Sequence, residues 1–256
     1  MTDSRNRPAA LVTGAATRLG LAFARALAAQ GHDIALHYNH SAQQAEAAAE
    51  EIRALGVNCE TFRCDLASGD IPALMEDVVD TFPALDLLVN SASAYAAATI
   101  AETTADLLQQ QFAVNCFAPI LLSRAFYERV GQGNIINIID NKIAFQQNNY
   151  AAYLLSKKAL AEFTALAAVE FAPDIRVNGI APGVVLPGET RTADYVQWRV
   201  QGIPLHRQGE VSHLVQAMFY LLNNKFVTGQ ILFVDGGEGL NQRGLNAEDY
   251  PTGEDL

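Results

Sequence analysis

The feature that most constrains this chain is an alternation that runs nearly its whole length. Short apolar runs fall at 9–14, 33–38, 57–66, 85–93, 134–139, 175–183 and 230–237. Between them lie segments with helical spacing at 18–31, 41–56, 70–82, 102–130, 151–170 and 210–222. Near-continuous apolar strands separated by helices are buried on both faces, so they form a parallel sheet covered by two helical layers. The expected fold is α/β: a Rossmann-type doubly wound parallel sheet of about seven strands. No linker composition interrupts it, so residues 1–256 are read as a single domain. A polar stretch at 184–209, punctuated by Pro and Gly, breaks the alternation; the acidic tail 238–256 is expected to be loosely ordered or docked on a neighbour.

The net charge of −11 and the absence of Lys/Arg clusters argue against a nucleic-acid or anionic-membrane surface. No apolar run approaches the length of a membrane span, and the N-terminus lacks a signal-peptide core. Cys59, Cys64 and Cys116 stand in no CxxC pattern, which fits a reduced, cytoplasmic protein. No metal site is expected: His37 and His40 lie three apart, with no third ligand near in sequence.

In such sheets ligands sit beyond the carboxyl ends of the strands. "LVTGAATRLG" (11–20) ends the first strand and opens a helix. Gly14 permits the sharp turn and Gly20 a close helix approach, leaving backbone N–H groups for a pyrophosphate. Arg18 replaces the middle glycine of the dinucleotide loop, so its guanidinium faces phosphate, whatever lies beside it, or solvent. The second strand ends in "HYNHS", without the acid that would hold a ribose 2′-hydroxyl. His37, Asn39, His40 and Ser41 offer donors there, and Ser41 also starts a helix; this suits a 2′-phosphate and hence NADPH. Asp65, ending the third strand, is a candidate acceptor for the adenine amino group.

Tyr153 and Lys157 share one face of the helix after strand five. An ammonium about 4 Å from the phenol is worth on the order of 4 kcal/mol at an effective dielectric of 20, about three pKa units. That would bring Tyr153 near 7, where proton transfer is efficient. Tyr150 on the same helix is a decoy, two turns from Lys157. Asn90 and Ser93 end strand four, Tyr95 follows as a candidate stacking group, and Asn115 within the helical stretch 102–130 is a candidate holder of a relay water.

These motifs together resemble the short-chain dehydrogenase/reductases over about 9–240: "TGAATRLG", "CDL", "NSAS", Asn115, Tyr153 with Lys157, "RVNGIAPG" and "VDGG". The resemblance implies that Tyr153 is the acid, that Lys157 holds the nicotinamide ribose and lowers the phenol, and that Asn115 supports a water relay. It further implies cofactor contacts at Gly14, Arg18, Leu19, Gly20, His37, Tyr38, Asn39, His40, Ser41, Asp65, Leu66, Asn90, Ser91, Ala92, Lys157, Pro182 and Gly183. Where that family carries Ser, thirteen residues before the Tyr, this chain has Asp140. Arg18, "LHYNHS", Tyr95 and Asp140 together are similar to the pteridine reductase branch. That branch implies NADPH/NADP+ as cofactor, a pterin as substrate, substrate contacts from Arg18, Ser93, Tyr95, Asp140 and Tyr153, and a substrate lid at 184–209; the wider family implies a homotetramer. The alternatives are a ketone reductase, such as one for 3-oxoacyl thioesters, and a catalytically silent nucleotide sensor.

Overall fold

The computed structural model describes residues 7–186, 192–241, 245 and 250. Seven parallel strands form one sheet in the order β3-β2-β1-β4-β5-β6-β7. They are β1 (Ala9–Val12), β2 (Asp33–Tyr38), β3 (Cys59–Arg63), β4 (Leu85–Asn90), β5 (Gly133–Ile138), β6 (Ile175–Pro182) and β7 (Ile231–Val234). The doubly wound expectation holds. One face is covered by α1 (Arg18–Ala29), α2 (Ala42–Arg53) and α8 (Val211–Asn223), through Phe23, Leu27, Ile52, Leu214 and Met218. The other is covered by α3 (Ile71–Thr81), α5 (Ala118–Arg129) and α6 (Ala151–Glu170), through Met75, Val78, Leu122, Phe126 and Ala168. The chain order reverses between β1 and β4, which opens a crevice above that seam.

Two expectations need correction. The stretch 102–130 is not one uniform helix: α4 (Ala105–Phe112) passes through a π-turn, Ala113–Phe117, before α5. Pro119 accounts for it. An α-helix would require an N–H at 119 to reach the carbonyl of Asn115, and Pro has none. The tail also differs at its start. Glu238 opens a short helix, α9 (Glu238–Asn241), and is fully buried rather than loose. Residues 242–244, 246–249 and 251–256 of that tail, and 187–191 of the expected lid, lie outside the described residues. Within the lid segment, α7 (Ala193–Val200) is capped by the Thr192 hydroxyl, which accepts from Tyr195 N–H. No described helix is long and apolar enough to cross a membrane.

Candidate active site

A cleft of about 1020 Å³ runs over the β1/β4 seam from the phosphate loop to α6 and α7. It brings together Gly14, Arg18, Leu19, Gly20, His37, Asn39, His40, Asp65, Leu66, Ser91, Ala92, Ser93, Tyr95, Asp140, Tyr153, Lys157, Pro182 and Gly183. Tyr38, Ser41, Asn90 and Asn115 do not line it.

At the loop end, a Cβ on Gly20 would sit 2.3 Å from the Gly14 carbonyl oxygen, so only glycine lets α1 approach. Gly14 has φ +63, and a Cβ there would lie 2.9 Å from Ala92 Cα. Thr13, which the sequence reading passed over, locks this contact: its hydroxyl oxygen accepts from the N–H groups of Ser91 (2.9 Å) and Ala92 (3.0 Å). α1 begins without a side-chain cap or a first-turn acid, which leaves its N–H groups for an anion. Arg18 stands at φ +54, a conformation natural to the glycine it replaces. Its Nη2 donates to the Leu186 carbonyl at 2.6 Å, so it ties the phosphate loop to the start of the lid segment.

His37 does not offer a donor to a ribose. Its Nδ1 accepts from Gly14 N–H at 3.1 Å, so the proton is on Nε2, which donates to the Cys64 carbonyl at 3.0 Å. Burial lowers its pKa despite the opposing Cys64 carbonyl, in keeping with a neutral ring. Asp65 accepts from Asn39 Nδ2 (3.2 Å), Ala67 N–H (3.0 Å) and the Ser68 hydroxyl (2.8 Å). The Ala67 bond first, then the Ser68 hydroxyl, hold this carboxyl below the usual range. Ser41 begins α2 without a side-chain capping bond. Asn90 turns into the sheet and donates to Asn137 Oδ1 at 2.9 Å; Asn137 in turn donates to the Thr164 hydroxyl at 3.0 Å, pinning β4, β5 and α6 together.

The Asn115 side chain is spent on the loop after β4. Its Oδ1 accepts from Ala94 N–H (2.9 Å) and the Ser93 hydroxyl (3.0 Å), and its Nδ2 donates to the Ala94 carbonyl (2.9 Å). The π-turn presents this amide to the loop after β4, which carries Tyr95. A bridge of Ala98 to Asn149 and Ala151 backbone fixes the far end of that loop. Tyr95 consequently stacks on Tyr150, with centroids 4.5 Å apart, and meets Tyr153 edge-on at 4.6 Å. Tyr150, the apparent decoy, backs the stacking group.

The reactive end is Tyr153, Asp140 and Lys157. The Tyr153 hydroxyl donates to Asp140 Oδ2 at 2.7 Å; Asp140 Oδ1 accepts from Lys142 N–H at 2.9 Å and so caps the short 3₁₀ turn Asn141–Ala144. Lys157 Nζ donates to the Ile138 carbonyl at 2.8 Å and keeps two further N–H groups. Burial, then Asp140, push the Tyr153 phenol well above its ordinary value, while the Ser93 hydroxyl pulls weakly the other way. This overturns the expected pKa near 7: the carboxylate, not the ammonium, is the phenol's partner. Burial lowers Lys157 to about 8, with Asp140 opposing.

A fold, loop and site of this kind define a class, and the comparisons with known proteins agree. Residues 14–238 match the family model described as enoyl-(acyl carrier protein) reductase, and the chain belongs to the short-chain dehydrogenase/reductase family of oxidoreductases. Among solved structures, FolM alternative dihydrofolate reductase 1 from Brucella suis, in complex with NADP, matches with TM-score 0.87 and 34% identity, over 93% of this chain and 97% of that one. Pteridine reductase 1 of Leishmania tarentolae is 30% identical over 289 residues, 94% of this chain and 100% of its own length. A 3-oxoacyl-[acyl-carrier-protein] reductase of Staphylococcus epidermidis is also 30% identical, over 244 residues, 89% of this chain and 97% of its own.

Proposed function

We propose that this chain is an NADPH-dependent pteridine reductase, reducing a dihydropterin such as dihydrobiopterin or dihydrofolate to the tetrahydro form. Overall identity does not choose between the pteridine and 3-oxoacyl relatives, since both stand at 30%. The observation that carries the reading is the 2.7 Å bond from Tyr153 to Asp140 beneath Tyr95. A ketone oxygen needs donors, and a carboxylate offers none; Ser93, on the loop that carries Tyr95, already donates to Asn115. An aminopterin ring presents N–H and NH₂ donors, which Asp140 accepts.

The cofactor fits the residues present: an uncapped α1 terminus over Gly14 and Gly20, no acid closing β2, and His40 on the cleft wall. The NADP complex of the Brucella suis structure supports it. When bound, NADPH supplies hydride to a ring carbon. Lys157 holds the nicotinamide ribose through its remaining N–H groups. Tyr95, backed by Tyr150, stacks on the pterin and aligns it. Tyr153 enters protonated, its phenol held in the acid form by burial and by the bond to Asp140. With Asp140 it delivers the proton to the ring nitrogen beside the reduced carbon. We place the reaction in the cytoplasm, where three buried free cysteines stay reduced.

The test follows NADPH oxidation with dihydrobiopterin, dihydrofolate, quinonoid dihydropterin and acetoacetyl thioesters. Turnover of the reduced pterins is expected. Turnover of the thioesters alone would instead support the 3-oxoacyl reductase reading, and tight NADPH binding without any turnover would support the sensor.

A further inference from the structure

The far wall of the cleft holds a buried ion pair that the proposed chemistry does not use. Arg199 on α7 donates through Nη2 to Glu238 Oε1 on α9 in a short contact. Arg199 is 5% exposed and Glu238 0%. The other Glu238 oxygen, Oε2, accepts from Asn141 Nδ2 at 2.9 Å, and Asn141 is itself buried. Asp235 steadies the turn that carries Glu238, accepting from Gly237 N–H (2.9 Å) and Gly239 N–H (2.7 Å), with Asn141 Nδ2 at 3.4 Å. Arg199 Nη1 is buried with no partner among the described residues.

Two charges removed from water are an expensive way to hold a lid, and an apolar pair would be as stable or more so. What an ion pair adds is one geometry rather than many. Here that geometry ends on Asn141, the residue after Asp140, in the 3₁₀ turn that Asp140 itself caps. The chain of contacts therefore runs from the lid helix to the carboxylate: Arg199, Glu238, Asn141, Asp140, Tyr153.

We infer that Arg199, Glu238 and Asn141 are positioning residues that seat α7 over the cleft and, through the turn at 141–144, hold Asp140 in register with Tyr153. The inference rests on the role given above to Asp140 and Tyr153. It predicts that loosening the lid contact degrades proton delivery while the cofactor end, at the opposite side of the cleft, is untouched.

The experiment compares wild type with Asn141→Ser, Arg199→Lys and the charge-neutral double variant Arg199→Met/Glu238→Gln. Steady-state kinetics uses whichever substrate the wild type reduces, so failure of the pterin reading leaves the test standing. Expected are losses of kcat of about 10–100-fold in Asn141→Ser and in the double variant, the scale of a small misplacement made away from the chemistry. KM for NADPH should stay unchanged, and Arg199→Lys, which keeps the pair, should recover most of the rate. Amide exchange over Ala193–Val200 should quicken in Asn141→Ser, a readout that needs no turnover. Wild-type kcat with a lowered melting temperature would make the cluster a plain structural staple and overturn the inference, as would unchanged exchange in α7. If the double variant does not fold, Asn141→Ser carries the test alone, because it removes no charge and only frees Glu238, and α7 with it, from the turn at 141–144.

Discussion

At the scale of single residues, the site turns on a phenol bonded to a carboxylate. Burial apart, Asp140 raises the Tyr153 pKa both by its charge and by accepting the phenol's hydrogen bond. Asp140→Ser is therefore expected to lower the phenol's pKa, seen in an ultraviolet titration of tyrosinate. It should also cut pterin turnover by about 10²-fold or more, the scale of a lost general acid–base partner. Undiminished pterin turnover in that variant would remove Asp140 from the mechanism. Lys157 sets a different limit. Its folded pKa of about 8 lies below the ordinary 10.5, so the ammonium form is disfavoured by the fold. The folded state binds fewer protons between those values, and this group's contribution to stability rises as pH climbs from about 8 to 10.5. In the proposed mechanism function runs the other way: the cation that would hold the ribose is lost as pH rises through about 8. NADPH affinity of the free enzyme should fall on that alkaline limb, and Lys157→Arg should flatten the limb because guanidinium does not titrate there. A limb at the same pH in the Arg variant would assign it to another group.

At the scale of elements, the π-turn between α4 and α5 is the least expected feature. It aims Asn115 at Ser93 and Ala94, and so places Tyr95. Asn115→Leu strips three close hydrogen bonds from that loop. It should raise KM for the pterin about tenfold, an amount equal to one net hydrogen bond, with little change in KM for NADPH. A higher KM for the cofactor alone would mean the loop does not carry the stacking group. The spacing of Tyr153 and Lys157 is legible in sequence because both sit on one helix. The π-turn is not, since apolar periodicity cannot register one extra residue per turn; Pro119, four residues after Asn115, was the available signal. Thr13 and the Arg199–Glu238 pair were illegible for another reason. Their partners lie 78 and 39 residues away, and no local pattern records such distances. His37 was misjudged because a strand-end histidine reads the same whether its nitrogens face the cleft or, as here, the backbone.

At the scale of the molecule, the parallel sheet and both helical layers followed from the alternation of strand and helix, because buried parallel strands leave few other arrangements. The outer surface carries what that pattern did not resolve. Leu166 and Val169 on α6 are 69% and 83% exposed, and Leu121 and Tyr127 on α5 are also exposed. Such a patch marks an association surface. We propose a homotetramer built on these helices, to be read by light scattering. Leu166→Asp with Val169→Asp should give a smaller species with unchanged far-ultraviolet circular dichroism; a tetramer surviving both charges would move the interface elsewhere.

The Thr13 lock has a consequence for how the protein is made. β2 holds one side of the phosphate loop through His37, but the other side is seated by Thr13 against Ser91 and Ala92, 78 and 79 residues downstream. During synthesis, then, the loop and its helix emerge long before their seat does. A nascent chain that stops short of β4 has the glycines of a nucleotide site without the wall they pack against. Ribosome-bound chains ending before residue 85 should gain no protease protection from NADPH, whereas chains extending well past the loop at 91–98 should begin to. Protection of the shorter chains would show that the loop folds without its seat.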